Sequence, residues 1–197
     1  SVAAFAAVTP RVGYLAHAWH PIIHAPAPLD PTLPAHDVVF VGSGFSERVE
    51  FFNRLAALLP ASVDVGLYGT WKNLGCSPAV MAWVRGAQVP NAMAAGLYRR
   101  AAIGLNLYRT TMGWGRNARR ITHAESCNPR AFELAACGVF HLSEPRAEVG
   151  DLFGPLVPTF RGAAEAATLI TSWLARPDDR AAVAAALPAC VAEATWT

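Results

Sequence analysis

From Asp37 onward the apolar positions switch repeatedly between two periods. Val38-Val39-Phe40-Val41 is a continuous β-branched and aromatic run that stops at Gly42-Ser43-Gly44, which predicts a strand buried on both faces. Ser46 is placed to cap a helix from Glu47 to Leu59, whose Val49, Phe52, Leu55 and Leu59 fall at helical spacing. Val63 to Tyr68 predicts a second strand ended by Gly69, and Ala82 to Val84 a weaker one. A helix opens at Pro90-Asn91 and runs through Arg100, followed by a buried strand from Ile103 to Tyr108. Thr110 to Cys127 is a polar loop rich in Gly and Arg; a loop this long inside a domain is usually functional or disordered.

The next helix starts at Asn128-Pro129, an N-cap residue followed by proline at the first helical position, and ends at Cys137-Gly138. Beyond it come a strand (Val139 to Ser143), a short helix (Pro145 to Phe153), a last strand (Val157 to Phe160) and an amphipathic helix (Ala163 to Arg176). An alanine-rich helix follows from Asp178, which Pro188 is expected to kink or split. Before Asp37 the chain is rich in Pro and His, with one strand-like piece at Val12 to Leu15. Strands alternating with helices imply right-handed βαβ units, an α/β fold with a doubly wound, Rossmann-like parallel sheet. The expected organisation is a connecting segment over 1–36, a sheet domain over 37–176 and a C-terminal helix over 177–197.

Composition narrows this picture. At 197 residues, 53% hydrophobic and 15% charged, the chain is long enough for one well-buried domain and too apolar for disorder. A formal net charge of +2 is too small for a protein whose main partner is nucleic acid or an anionic membrane. No apolar stretch approaches the roughly 20 residues of a membrane span, and the first residues do not form a signal peptide. Cys76, Cys127, Cys137 and Cys190 are scattered without a C-x-x-C pair, so free thiols in a reducing, cytoplasmic setting are expected. His17, His20 and His24 are read as partly buried or cleft-lining residues, because Pro21 interrupts the helix that would align them on a metal.

In an open parallel sheet ligands bind outside the carboxyl ends of the strands, where strand order reverses. Four features fall there. Gly42-Ser43-Gly44 with Arg48 lets backbone approach a ligand and an arginine meet phosphate, or is an ordinary β-to-α turn; the full dinucleotide fingerprint and a Walker lysine are both missing. Tyr68-Gly69 offers an aromatic that either stacks on a flat base or packs in the core. Arg109, Arg116, Arg119 and Arg120 form a basic loop, solvated or aimed at a pyrophosphate. Most informative is Glu125-Ser126-Cys127-Asn128-Pro129-Arg130-Ala131-Phe132-Glu133. Here two carboxylates flank a helix start whose amides and dipole attract a diphosphate, with Glu133 placed to accept ribose hydroxyls.

Gly13-Tyr-Leu-Ala-His-Ala18, His24, Asp37-Val-Val-Phe-Val-Gly42 with Glu47-Arg48, Leu67-Tyr-Gly69, Ile103-Gly-Leu-Asn-Leu107 and Asn128-Pro-Arg-Ala-Phe-Glu-Leu-Ala-Ala-Cys-Gly138 occur in that order. Together they resemble the C-terminal half of the spore-maturation (CgeB-type) glycosyltransferase-like family, a branch of the group-1 glycosyltransferases of GT-B architecture. The resemblance runs from about Val12 to Trp196, and Arg130 to Gly138 is its most specific part. It implies a nucleotide diphosphate sugar as donor, an unidentified acceptor, Glu133 on the ribose and Glu125 at the sugar or reacting centre. It implies no metal, with Arg48, Arg109, Arg130 and the helix at Asn128 meeting the leaving diphosphate. It further implies an N-terminal GT-B domain outside this sequence. The first turn departs from the pattern: Arg48 is followed by Val49-Glu50-Phe51-Phe52-Asn53, without the lysine that many group-1 enzymes carry. A catalytically inactive structural relative and a dinucleotide-dependent oxidoreductase are the alternatives.

Overall fold

The computed structural model describes residues 2–9, 11–71, 75–112, 119–121 and 124–196. The apolar runs become five parallel strands: β1 (His36–Val41), β2 (Val65–Tyr68), β3 (Val84–Gly86), β4 (Ala101–Asn106) and, after a small ribbon, β7 (His141–Ser143). Their spatial order is β3-β2-β1-β4-β7. In register, Phe40 stands beside Leu67, and Val38 beside both Val65 and Ile103. The chain leaves β1 toward β2 and β3 on one side and returns to β4 and β7 on the other, so β1 and β4 flank the switch point.

Period-two alternation divides the sheet's side chains between two layers. Val38, Phe40, Val65, Leu67, Ile103 and Leu105 join one core with α3 (Ser46–Ala56) and α8 (Ala163–Leu174). Val39 and Tyr68 join another with α5 (Asn91–Arg99) and α6 (Pro129–Ala136). Phe40, Phe52 and Trp71 are fully buried, with ring centroids 5.3 to 6.0 Å apart. Truncating Phe52 to alanine is expected to cost about 3–5 kcal/mol. A third apolar cluster joins α6, α7 (Ala147–Phe153) and α9 (Pro177–Cys190), with Trp19 packed against it.

Several elements differ from expectation, each for a local reason. Val12–Leu15 is not a strand: among the described residues no neighbour pairs with it, and Leu15 is 87% exposed. Further along, Trp19 bridges Thr195. Helix α3 begins one residue early, so Phe45 is its N-cap and the Ser46 hydroxyl bonds Glu47. β2 starts at Val65 because the Val63 amide closes a turn on Pro60. Ser77 caps α4 (Pro78–Trp83) through the Val80 amide, moving β3 to 84–86. Val157–Phe160 makes a single bridge, Thr159 to Ser143, since Pro158 has no N–H for a ladder. Pro188 lies inside α9 without splitting it. The long loop carries a short antiparallel ribbon, β5 (Thr111–Met112) with β6 (Arg119–Arg120). The four cysteines are free thiols, Cys127 and Cys137 being buried. Among the described residues no helix is long and apolar enough to cross a membrane.

Two buried histidines link the fold to pH. Burial, then the nearby Arg99 and His20, pull the His24 imidazole down to about 4, and burial does the same for His141. The folded state thus binds these protons less readily than the unfolded chain. Their stabilisation is complete above the ordinary histidine range and is lost as pH falls through it toward about 4. Thermal unfolding followed between about pH 7 and about pH 4.5 should show a shallower fall of Tm in His24→Gln than in the parent. Equal slopes would contradict the assignment.

Candidate functional site

The first glycine turn lies at the carboxyl end of β1, but its two glycine amides are already used. Gly42 N–H donates to the Tyr68 carbonyl at 2.7 Å and Gly44 N–H to the Thr70 carbonyl at 2.9 Å. Gly69 N–H, in turn, donates to the Gly86 carbonyl at 2.7 Å. The loops after β1, β2 and β3 are therefore zipped together beyond the strands. Gly69 has φ +131°, and a β-carbon there would lie 2.4 Å from the Gly42 oxygen, so only glycine closes this junction. Beside it opens a cleft of about 540 Å³ lined by Gly42, Ser43, Tyr68, Gly69, Thr70 and the 87–90 segment. Tyr68 packs in the core at 3% exposure and also contributes to the lining of this cleft.

At the switch point two arginines meet from opposite layers. Arg48, on α3, donates to the Ser43 carbonyl at 3.0 Å and the Leu107 carbonyl at 3.1 Å. Arg130, on α6, donates to the Val41 carbonyl and, at 3.5 Å, to the Leu107 carbonyl. Both guanidiniums lie over the Phe40 ring, at 5.2 and 4.6 Å, and Arg109 lies over Phe45 at 4.3 Å. Burial, followed by repulsion from Arg130, lowers the Arg48 guanidinium to about 10, although Glu47 and Glu144 pull upward. Neither Arg48 nor Arg130 forms an ion pair among the described residues. Arg48 is only 7% exposed, so its charge, and not its surface, is what it offers to this end of the sheet. The carboxylates nearby are occupied: Glu47 accepts from the Thr110 amide at 3.1 Å and Glu144 from the Tyr108 amide at 2.6 Å.

Helix α6 starts as the sequence implies. The Asn128 side-chain oxygen accepts from the Ala131 amide at 3.2 Å, and its amide nitrogen reaches the Leu107 carbonyl at 3.4 Å. The helix mouth is poorer in free donors than expected, because Pro129 has no N–H and Ala131 N–H serves the cap. The dipole remains. Among the clefts lined by described residues, Glu125 and Glu133 share none. Glu125 lines a cleft of about 430 Å³ with Tyr14, Ser126, Glu148 and Asp151 beside α7. Glu133 is half-buried, with Arg130 and, on α5, Tyr98 as electrostatic neighbours. Arg116 lies outside the described residues, and Arg119 and Arg120 are described through their backbone in β6. Among the described residues no group of three or more His, Cys, Asp or Glu gathers as a metal site.

Sequence reasoning missed a polar chain under the first cleft. His36 bonds Asp64 at 2.6 Å through Nδ1 and the Tyr68 hydroxyl at 2.8 Å through Nε2, and Arg85 bonds Asp64 at 3.0 Å. The signal that would have found it is Gly66, a glycine inside an apolar strand.

Burial pushes the Glu133 carboxyl above its usual range, against the pull of Arg130. The folded state then binds that proton more tightly than the unfolded chain. Its contribution is fully present below the ordinary carboxylate range and is lost as pH rises through the raised value. Glu133→Gln should therefore raise Tm at about pH 7 and leave it little changed near pH 4, by calorimetric scans; a lower Tm at pH 7 would contradict this.

A family model described as glycosyl transferase-like matches residues 46–197, and the chain belongs to that family. No curated protein matches the sequence. Sucrose-phosphate synthase from Thermosynechococcus elongatus superposes with a TM-score of 0.62 at 15% identity, over 91% of this chain and 48% of that one. A glycosyltransferase involved in avilamycin A biosynthesis gives 0.59 at 17%, over 93% and 55%. A UDP-forming α,α-trehalose-phosphate synthase from Burkholderia xenovorans gives 0.53 at 12%, over 82% and 41%. At such identities the likeness is one of fold, the Rossmann-like half of the GT-B type. The chain spans about half the length of these structures.

Proposed function

Starting from membership of the glycosyl transferase-like family, we propose that the chain is the donor-binding half of a GT-B glycosyltransferase, of the spore-maturation branch. A nucleoside diphosphate sugar would lie across the carboxyl ends of β1, β2 and β4. The observation that carries this reading is the pair of guanidiniums, Arg48 buried and Arg130 half-buried, braced on backbone carbonyls at the switch point without ion pairs among the described residues. Buried positive charge without an ion partner favours a ligand that brings negative charge.

The nucleoside fits the 540 Å³ cleft walled by Tyr68, Gly69, Gly42 and Ser43, with Gly44 bracing its turn. Glu133 accepts ribose hydroxyls, and the diphosphate rests between the α6 terminus at Asn128 and the arginines Arg48, Arg109 and Arg130. In transfer, the acceptor's hydroxyl oxygen bonds the anomeric carbon as that carbon's bond to the diphosphate oxygen breaks, and the hydroxyl proton passes to the released diphosphate. Negative charge builds on the departing diphosphate, where fixed cations and a helix terminus stabilise it without a metal ion. Arg130 acts there directly, and Glu125, at the rim of the second cleft, faces the sugar or the acceptor. The acceptor side belongs to an N-terminal GT-B domain, a cytoplasmic partner half in this reading.

Calorimetric titration of UDP, GDP and their sugars tests the proposal. Binding should occur equally with and without a chelator, and Glu133→Ala should weaken it at least tenfold, about 1.4 kcal/mol, while circular dichroism shows the chain still folded. No heat with any nucleotide from a folded sample would overturn it.

A further inference from the structure

The polar chain Arg85–Asp64–His36–Tyr68 crosses a layer of the sheet that is otherwise apolar. Its hydrogen bonds have one consistent direction. A carboxylate only accepts, so His36 Nδ1 carries the proton toward Asp64; with the ring neutral, Nε2 accepts and the Tyr68 hydroxyl donates to it. Space for the imidazole comes from Gly66: a β-carbon there would lie 2.5 Å from the ring. The chain's far end is anchored too, because Asp64 N–H donates to the Asp37 carboxylate at 2.9 Å and ties β2 to β1.

What this holds in place is the residue where the cleft's walls meet. The Tyr68 carbonyl receives the Gly42 amide, and the next amide, Gly69, reaches the Gly86 carbonyl. A displacement of Tyr68 therefore moves the 42–43 wall and the 87–90 wall together. The His36–Tyr68 bond is buried while Asp64 and Arg85 reach the surface, and a buried polar pair adds little net stability over apolar groups of the same shape. A fully bonded one does fix geometry.

We infer that His36 and Asp64 are positioning residues for the nucleoside subsite, setting the Tyr68 wall through its hydroxyl, a role that rests on reading this cleft as a nucleotide site. They touch no ligand themselves. Their effect falls on the nucleoside and spares the diphosphate, which is met at the switch point by groups outside the chain.

The test uses Tyr68→Phe, His36→Leu and the double variant, titrated with UDP and with inorganic pyrophosphate as its competitor. Each single change should weaken UDP binding about tenfold, and the double should be no weaker than the worse single, the non-additivity of residues acting as a unit. Pyrophosphate affinity should stay within about twofold, and the double should unfold at a higher temperature than His36→Leu alone. Additive losses, or UDP and pyrophosphate weakening together, would overturn the inference. If His36→Leu does not fold, Tyr68→Phe, which removes one oxygen, decides: unchanged UDP affinity overturns it. A folded parent that binds no nucleotide sinks the nucleotide reading and this role with it. A parent that binds UDP while Tyr68→Phe is silent sinks this role alone.

Discussion

The carbonyl of Leu107, one residue past the end of β4, is gripped from both sides of the sheet. Arg48 reaches it from α3 at 3.1 Å, and Arg130 and Asn128 reach it more loosely from α6 at 3.5 and 3.4 Å. The same two arginines hold carbonyls at the end of β1, those of Ser43 and Val41. Parallel strands that part company at a switch point leave such carbonyls without ladder partners. Guanidinium forks satisfy them and hold the crevice to a fixed width. The cost is buried positive charge, visible in the depressed proton affinity of Arg48. The face of Phe40 offsets part of that cost, since a ring quadrupole attracts cations.

That compromise explains why the site differs in detail from its simplest description. Glycine turns commonly cradle phosphate with their amides, yet here Gly42 and Gly44 spend theirs on the loop after β2. The helix mouth at Asn128 is likewise short of donors, its cap using one and Pro129 lacking another. Attraction for an anion thus falls more on field than on direct hydrogen bonds. The half-buried Glu133 is kept where ionisation is unfavourable, by burial that outweighs the pull of Arg130.

Whatever depended on neighbours in sequence was legible. Val38–Val41 and Ile103–Leu105 announced buried strands because a doubly covered strand has no polar face, and Asn128-Pro129 announced a helix start because capping is local. Whatever depended on distant partners was not. Val12–Leu15 has strand-like residues and no strand beside it. Arg48 and Arg130 were visible as charges, but the carbonyls that bind them lie up to 89 positions away. The eight-residue spacing of Glu125 and Glu133 could not say that the loop before α6 would leave one beside α7 while α6 carries the other toward α5. Tyr68 could be read as a base-stacking or a core aromatic; it packs in the core, where a histidine hidden from sequence holds its hydroxyl.

The most direct measurement is a map of backbone amide resonances while UDP is added to the isotope-labelled chain. The account predicts shifts gathered on residues 41–43, 68–70, 107–109 and 128–133, the segments that close around the two arginines. Shifts centred instead on the hollow between Leu33 and Gly96, with those four segments silent, would contradict it.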